Sequence, residues 1–220
     1  KNLLKVDDVH LAVAKLSNLF FDDLNHNDIK SLQNPKFIGK PKYISSNSRI
    51  ANGTIIGENA YISSGVKINH SCVIGKNVCI GDNSVISNAI IGDNINIGRN
   101  TSIGQPGFGF AFNPFKNEKI FHKGKAILQN GVQIGSNCCI DRGSFSDTVI
   151  GENTYFDNMC HVAHNVKVGN NCMFAAFAGI AGSAKIGNFV VAGGQIGIAG
   201  HINIGDRVQI GAKSAVLNDV

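Results

Sequence analysis

The sequence predicts an all-β parallel solenoid, three short strands to a coil, with one short α-helix ahead of it. Three observations carry this expectation. Isoleucine stands at positions 44, 50, 56, 62, 68, 74, 80 and 86, eight hits spaced six residues apart. Glycine follows the anchor repeatedly, as at Gly57, Gly75, Gly81 and Gly92. The composition holds 26 glycines against 4 prolines and no tryptophan, which suits a backbone that turns often and tightly.

The first element precedes the period. Within residues 1–34, Val9, Leu11, Ala12, Val13, Leu16, Leu19 and Phe20 recur at roughly helical spacing, with Asp7 or Asp8 placed to cap the N-terminus. An amphipathic helix packed on the first coil, followed by a linker, is expected there. The solenoid is expected over 35–220. After its first run the anchor series slips by one residue to Ile91, Ile97 and Ile103, then resumes at Leu128, Ile134 and Ile140. A third run goes from Ile150 through Phe156, Val162, Val168, Phe174, Ile180, Ile186, Ala192, Ile198, Ile204 and Ile210 to Val216.

A period of six fits neither an α-helix nor a hairpin meander, but it does fit short strands joined by tight corners. Three hexads close one coil, so residues 18 apart become neighbours at about 4.8 Å in parallel pairing. The glycines after the anchors read as turn sites. Four positions after an anchor stands a small or β-branched residue, such as Thr54, Ala60, Val66 or Val78, a second and smaller inward contact. Cys72, Cys138, Cys160 and Cys172 occupy that position and read as small core residues.

Two interruptions break the period. Residues 105–126, opening with Gln105-Pro-Gly-Phe-Gly-Phe-Ala-Phe112, form a loop insertion, and Asp141-Arg-Gly-Ser-Phe-Ser-Asp147 is a shorter excursion. Solenoids concentrate such insertions on binding faces.

Composition narrows the function classes. The balance of 20 Lys+Arg against 15 Asp+Glu is a mild +5 with no basic block, so a nucleic-acid partner is not expected. No apolar stretch is long enough to span a bilayer and the N-terminus lacks signal-peptide order, so a cytoplasmic protein with at most peripheral membrane contact is expected. The six cysteines show no Cys-x-x-Cys pair, which disfavours a zinc site or disulfide framework.

The chemistry is expected at one corner. His164 lies two places after anchor Val162; one coil on is Gly182, and a second coil leads to Gly200 and His201. A neutral imidazole can take the proton of an attacking amine or hydroxyl, and a backbone N–H exposed at a glycine notch can hold the oxyanion, so the set suits acyl transfer. A solvated corner histidine is the plain alternative. Asp157, just before His164, either orients an imidazole or shapes a corner. A histidine stack can also bind metal, but His201 is followed by Ile202, Asn203 and Ile204, which disfavours a three-histidine zinc site; no metal is expected.

Ile140-Asp-Arg-Gly143, Asp147-Thr-Val-Ile-Gly151, Asp157-Asn158, Ala163-His-Asn-Val166, Gly179-Ile-Ala-Gly-Ser183 and Gly200-His201 keep one order and spacing. In these the chain resembles the UDP-3-O-(3-hydroxyacyl)glucosamine N-acyltransferases of lipid A biosynthesis, over residues from about 44 onward. The resemblance implies a left-handed parallel β-helix, with residues 1–34 the remnant of an N-terminal domain. It implies His164 as general base, Gly182 as oxyanion donor and His201 as second active-site histidine; Asp157, His161 and Asn165 are expected as substrate contacts. It further implies transfer of a 3-hydroxyacyl chain from the phosphopantetheine arm of acyl carrier protein to the 2-amine of a UDP-sugar acceptor, by a homotrimer without other cofactor. The sister UDP-N-acetylglucosamine O-acyltransferase and a non-catalytic β-solenoid scaffold are the alternatives. Gln105-Pro106 stands where the family commonly has an acidic residue.

Overall fold

From Ile44 onward every anchor points inward, and this one rule builds the molecule. The structure is a computed structural model that describes residues 3–20, 35–70 and 72–220. Strands of mostly two residues alternate with corners; in Tyr61–Ile62 and Lys67–Ile68 the first residue is exposed and the second buried. Each strand pairs in parallel with the strand one coil on, so that Ile56 meets Ile74, Val162 meets Ile180 and Ile180 meets Ile198. The result is three nine-stranded sheets wound into a left-handed parallel β-helix.

The anchors form one continuous interior column. Ile56, Ile62, Ile74, Ile80, Ile86, Ile103 and Ile140 are all fully buried, and each contributes about 1.5–3 kcal/mol of transfer free energy. The small inward residues fill the three corners of the triangle. Several are polar and find a carbonyl on the next coil: the Thr154 hydroxyl donates to Gly169 O at 2.8 Å and the Ser84 hydroxyl to Gly98 O at 2.8 Å. The Cys172 thiol donates likewise to Gly187 O at 3.1 Å. Buried polar groups are tolerated because they are bonded.

The glycines after the anchors serve a different purpose from the one expected. Apart from Gly104, they do not adopt the left-handed conformation. A β-carbon on Gly57 would stand 2.4 Å from Gly75 O, and one on Gly169 would stand 2.5 Å from Gly187 O. Glycine is required there because successive coils approach backbone to backbone. The left-handed residues lie two positions later, at Asn59, Asn77, Asn94, Asn153 and Asn171 among others, with φ of 54–59°. Asparagine tolerates this region better than other non-glycine residues.

Helix α1 spans Val9–Phe20. Asp8 is its cap: the Leu11 N–H donates to Asp8 Oδ1 at 2.9 Å. The expected linker after it lies outside the described residues. Instead of resting on the first coil, α1 rests on the hairpin of the larger insertion, where Phe110–Ala111 pairs antiparallel with Glu118–Lys119. The Ser17 hydroxyl, buried, accepts the Phe121 N–H at 3.1 Å. The insertion leaves the solenoid through Gly104, at φ +81°, and returns at the strand Ala126–Leu128. Its last residues run beside the second excursion, with the Lys123 N–H donating to Ser144 O at 2.7 Å. Both interruptions therefore gather at one place, next to the strand His161–Val162.

Candidate active site

The third sheet runs from Arg49–Ile50 through Cys139–Asp141, His161–Val162, Gly179–Ile180 and Gly197–Ile198 to Ala215–Val216. Strand alternation turns Val162 into the core and His161 outward. The chain then turns a corner at Ala163-His164-Asn165, with Asn165 left-handed at φ 63°. The same corner one coil on holds Gly182, and another coil on it holds Gly200 and His201. Backbone bonds fix this column: the Ser183 N–H donates to His164 O at 2.9 Å and the His201 N–H to Gly182 O at 3.1 Å. The structure thus brings His164, Gly182 and His201 to one edge, as an 18-residue coil requires.

The protonation pattern of His164 follows from its neighbour. Its Nδ1 lies 2.9 Å from Asn165 Oδ1. The Asn165 amide can face only one way, because Oδ1 accepts the Ser144 N–H at 3.1 Å and Nδ2 donates to Ser146 O at 3.0 Å. The Ser144 and Ser146 hydroxyls add bonds of 3.0 and 2.7 Å, and the Asn165 N–H donates to Thr148 Oγ1 at 2.9 Å. With an oxygen facing it, Nδ1 carries the proton of the neutral ring, and Nε2 is left as the basic nitrogen. Asn165 has its amide held by the second excursion, and its Oδ1 orients the histidine.

That basic nitrogen faces Gly182. A β-carbon there would stand 2.8 Å from His164 Nε2 and Cε1, so a side chain at 182 would displace the ring. Gly182 also differs from the corners of the column that starts at Glu152. At Glu152, Asn170 and Asn188 the corner N–H donates to the side chain one coil on, namely Asn170, Asn188 and Asp206, at 2.7–2.9 Å. One coil beyond Gly182 stands Gly200, which has no side chain to offer. The Gly182 N–H is therefore left without this cap, beside an unprotonated imidazole nitrogen, as an oxyanion donor requires.

His164 and Gly182 line a cleft of about 510 Å³ together with His161, Phe108 and the small residues Gly179 and Gly197. Phe108, 85% exposed, comes from the larger insertion. Gly179, Gly197 and Ala215 continue the outward line of His161 by strand register and leave the sheet face bare. A β-carbon on Gly197 would meet nothing within 4 Å. Behind His161 lies Asp141, 3% exposed, with Oδ2 3.6 Å from His161 Nε2. Burial pushes the Asp141 carboxyl up, while Gln105 and the two histidines pull the other way.

Two other residues singled out from the sequence do not line this cleft. His201 is exposed and follows Gly200 on the same edge, but its side chain is not among those lining the cleft. Asp157 sits at a different corner, after a strand of another sheet, where its Oδ1 accepts the Asn158 N–H at 2.7 Å; it shapes a turn. Among the described residues no group of three His, Cys, Asp or Glu is arranged to hold a metal ion. His122 was assigned no role from the sequence, yet its buried ring stands edge-on to His164 at 5.1 Å between centroids. Gln105, Asp141, Ser144 and Ser146 also support the site. The signal available for all of them was position, since each lies in one of the two stretches that break the period.

Comparison with known proteins agrees with the fold. The family model described as the GMPPB C-terminal domain matches residues 32–145, and that described as bacterial transferase hexapeptide (six repeats) matches 147–182. A UDP-3-O-acylglucosamine N-acyltransferase of Caulobacter vibrioides is 44% identical over 89 residues, 40% of this chain and 26% of that protein. One of Leptospira biflexa is 51% identical over 65 residues, 30% of this chain and 18% of that protein. The matched stretch thus spans about a quarter or less of the length of these relatives. Among solved structures, the UDP-N-acetylglucosamine acyltransferase from Campylobacter jejuni superposes with a TM-score of 0.73 at 24% identity, covering 81% of this chain and 68% of that one. The Arabidopsis UDP-N-acetylglucosamine acyltransferase gives 0.59 at 24% identity with the same coverage, 81% and 68%. These two likenesses speak to the fold. Among the described residues no helix is long and apolar enough to cross a membrane.

Proposed function

We propose that this chain, which belongs to the family of the GMPPB C-terminal domain, transfers a 3-hydroxyacyl group from a thioester to the 2-amine of a UDP-linked, 3-O-acylated glucosamine. The family match ends at residue 145, before the reactive corner, so it speaks for the coils and the chemistry is argued from the site. One observation carries the reading: the basic Nε2 of His164 stands beside the uncapped N–H of Gly182 within one cleft.

In the proposed step the acceptor nitrogen attacks the thioester carbonyl carbon while His164 Nε2 takes its proton. The carbonyl becomes an oxyanion, held by the Gly182 N–H. Collapse breaks the carbon–sulfur bond, and the imidazolium returns its proton to the departing thiolate, leaving an amide and a free thiol. The bare sheet face beside His161 gives an apolar chain room to lie. The donor in this reading is acyl carrier protein, whose acidic surface would suit the net charge of +5. The names of the relatives at 44–51% identity favour an amine acceptor over a hydroxyl.

The reading includes a homotrimer. Met159 and Phe177 are bulky residues held left-handed at φ 58° and 63°, and both are about half exposed. Apolar groups in a strained and solvated position are accounted for if a second copy covers them.

The test offers acyl carrier protein thioester with the UDP-sugar amine and, separately, with UDP-N-acetylglucosamine. Acylation of the amine alone supports the proposal. Acylation of the hydroxyl alone would assign the O-acyl reaction, and transfer to neither would leave a scaffold. His164→Ala is expected to lower the rate roughly a hundredfold or more, the usual weight of a general base, with circular dichroism unchanged.

A further inference from the structure

Asp141 has no part in the step just described, yet it is the one carboxylate built into the wall behind the two histidines. The strand one coil below it, Ser102–Gln105, is bulged. The register slips between Ile103 and Gln105, and this brings the Gln105 side chain over Asp141. The Ser102 hydroxyl donates to Gln105 Oε1, and Gln105 Nε2 donates to Asp141 Oδ1 at 2.8 Å. One carboxylate oxygen is thereby fixed, and the other lies 3.6 Å from His161 Nε2. His164 is close on the same side. The point a β-carbon on Gly107 would occupy is 3.1 Å from Asp141 Oδ2 and 2.9 Å from His164 Cβ, so one glycine separates acid from base.

A carboxylate that is 3% exposed is costly unless its charge is compensated. Here the Gln105 amide bonds one oxygen, and the histidines of the cleft face the other, where either becomes a counter-charge when protonated. We propose that Asp141 is a positioning residue: its negative charge stabilises the imidazolium that His164 becomes when it takes the acceptor's proton, and its contact with Nε2 fixes the His161 ring in the cleft wall. The inference rests on the acyl-transfer reading. It explains why the larger insertion begins with a glutamine directed at a buried acid and a glycine placed between that acid and the base. The other titratable or charged groups nearby are Cys139 and Arg142, on either side of Asp141 in sequence, and His122, edge-on to His164.

The sign is definite. A negative charge favours the protonated imidazole, so removing it makes His164 harder to protonate. In Asp141→Asn the acid limb of the pH dependence of kcat/KM is expected to move to lower pH, and kcat to fall roughly tenfold or more. KM for the sugar acceptor is expected to change less. A fall in activity with an unmoved acid limb would reduce Asp141 to a packing role and overturn the proposal.

A second measurement does not depend on turnover. Nuclear magnetic resonance of the His164 ring in the full chain, across pH, is expected to show proton uptake at lower pH in Asp141→Asn than in the parent. Identical titrations would overturn the proposal even if catalysis differed. Should the parent transfer no acyl group to any acceptor, the functional reading fails while this titration still decides the electrostatic one. Gln105→Leu, which removes the bond to Oδ1 but keeps the acid, is the control against misfolding and is expected to shift the titration in the same direction by less. No shift, or a shift to higher pH, counts against the proposal.

Discussion

His164 Nε2 lies 2.8 Å from the place where a β-carbon on Gly182 would stand. The contact is with the far end of a side chain, so Gly182→Ala is expected to leave the fold intact and turn the imidazole away. A loss of transfer of roughly a hundredfold is expected. Steady-state rates, with thermal unfolding as control, check it. A variant of near-parental rate would mean the base does not work at this notch.

The ring of His164 is oriented by Asn165, which sits at φ 63°. Asn165→Gly keeps a residue at ease in that conformation and deletes only the amide. Nitrogen-15 spectra of the parent are expected to show the proton on Nδ1. In the variant both tautomers are expected to appear, with a rate loss of roughly tenfold or more. A parent ring protonated on Nε2 would refute the assignment.

The inward cysteines are core residues, and their chemistry is expected to show it. Burial pushes the Cys72 thiol up to about 11 and raises Cys172 as well, while Cys138 is raised by its hydrogen bond with Cys160 and then by burial. The bond from Cys138 lowers Cys160, but that side chain is buried too. A thiol reagent at pH 8 is therefore expected to modify only Cys79 and Cys139, the two half-exposed residues, and those slowly. All six are expected to react in denaturant. Rapid native modification of four or more would contradict the stacked core.

The two kinds of corner residue are expected to respond in opposite ways. Gly169→Ala places a β-carbon 2.5 Å from Gly187 O, so a loss of about 1–3 kcal/mol is expected despite the small change. Asn171→Gly, at φ 57°, is expected to change stability by less than about 1 kcal/mol. Urea unfolding of both variants decides it.

The legible part of this protein was its periodic part. Anchors such as Val162, Ile180 and Ile198 repeat at one interval, so coil register followed from counting, and with it the column of His164, Gly182 and His201. What counting could not reach lies where the period stops. Helix α1 was recognisable from its apolar spacing and the Asp8 cap, but its seat on the insertion hairpin depends on a bond between Ser17 and Phe121, 104 residues apart. His122 and Gln105 reach the site through loop conformation, which no repeat encodes. The post-anchor glycines were visible but misread, because a glycine needed for close approach and one needed for a turn look alike in sequence.

A corner of this solenoid loses the side chain that would cap its N–H wherever glycine stands one coil on, as Gly200 does beyond Gly182. Glycine alone does not specify the candidate site: the histidine beside it is aimed by Asn165, and Asn165 is gripped by Ser144 and Ser146 of an excursion from the repeat. The level of the site on the column is therefore set by where the chain departs from its own rule, and adding whole coils beyond His201 leaves that level untouched.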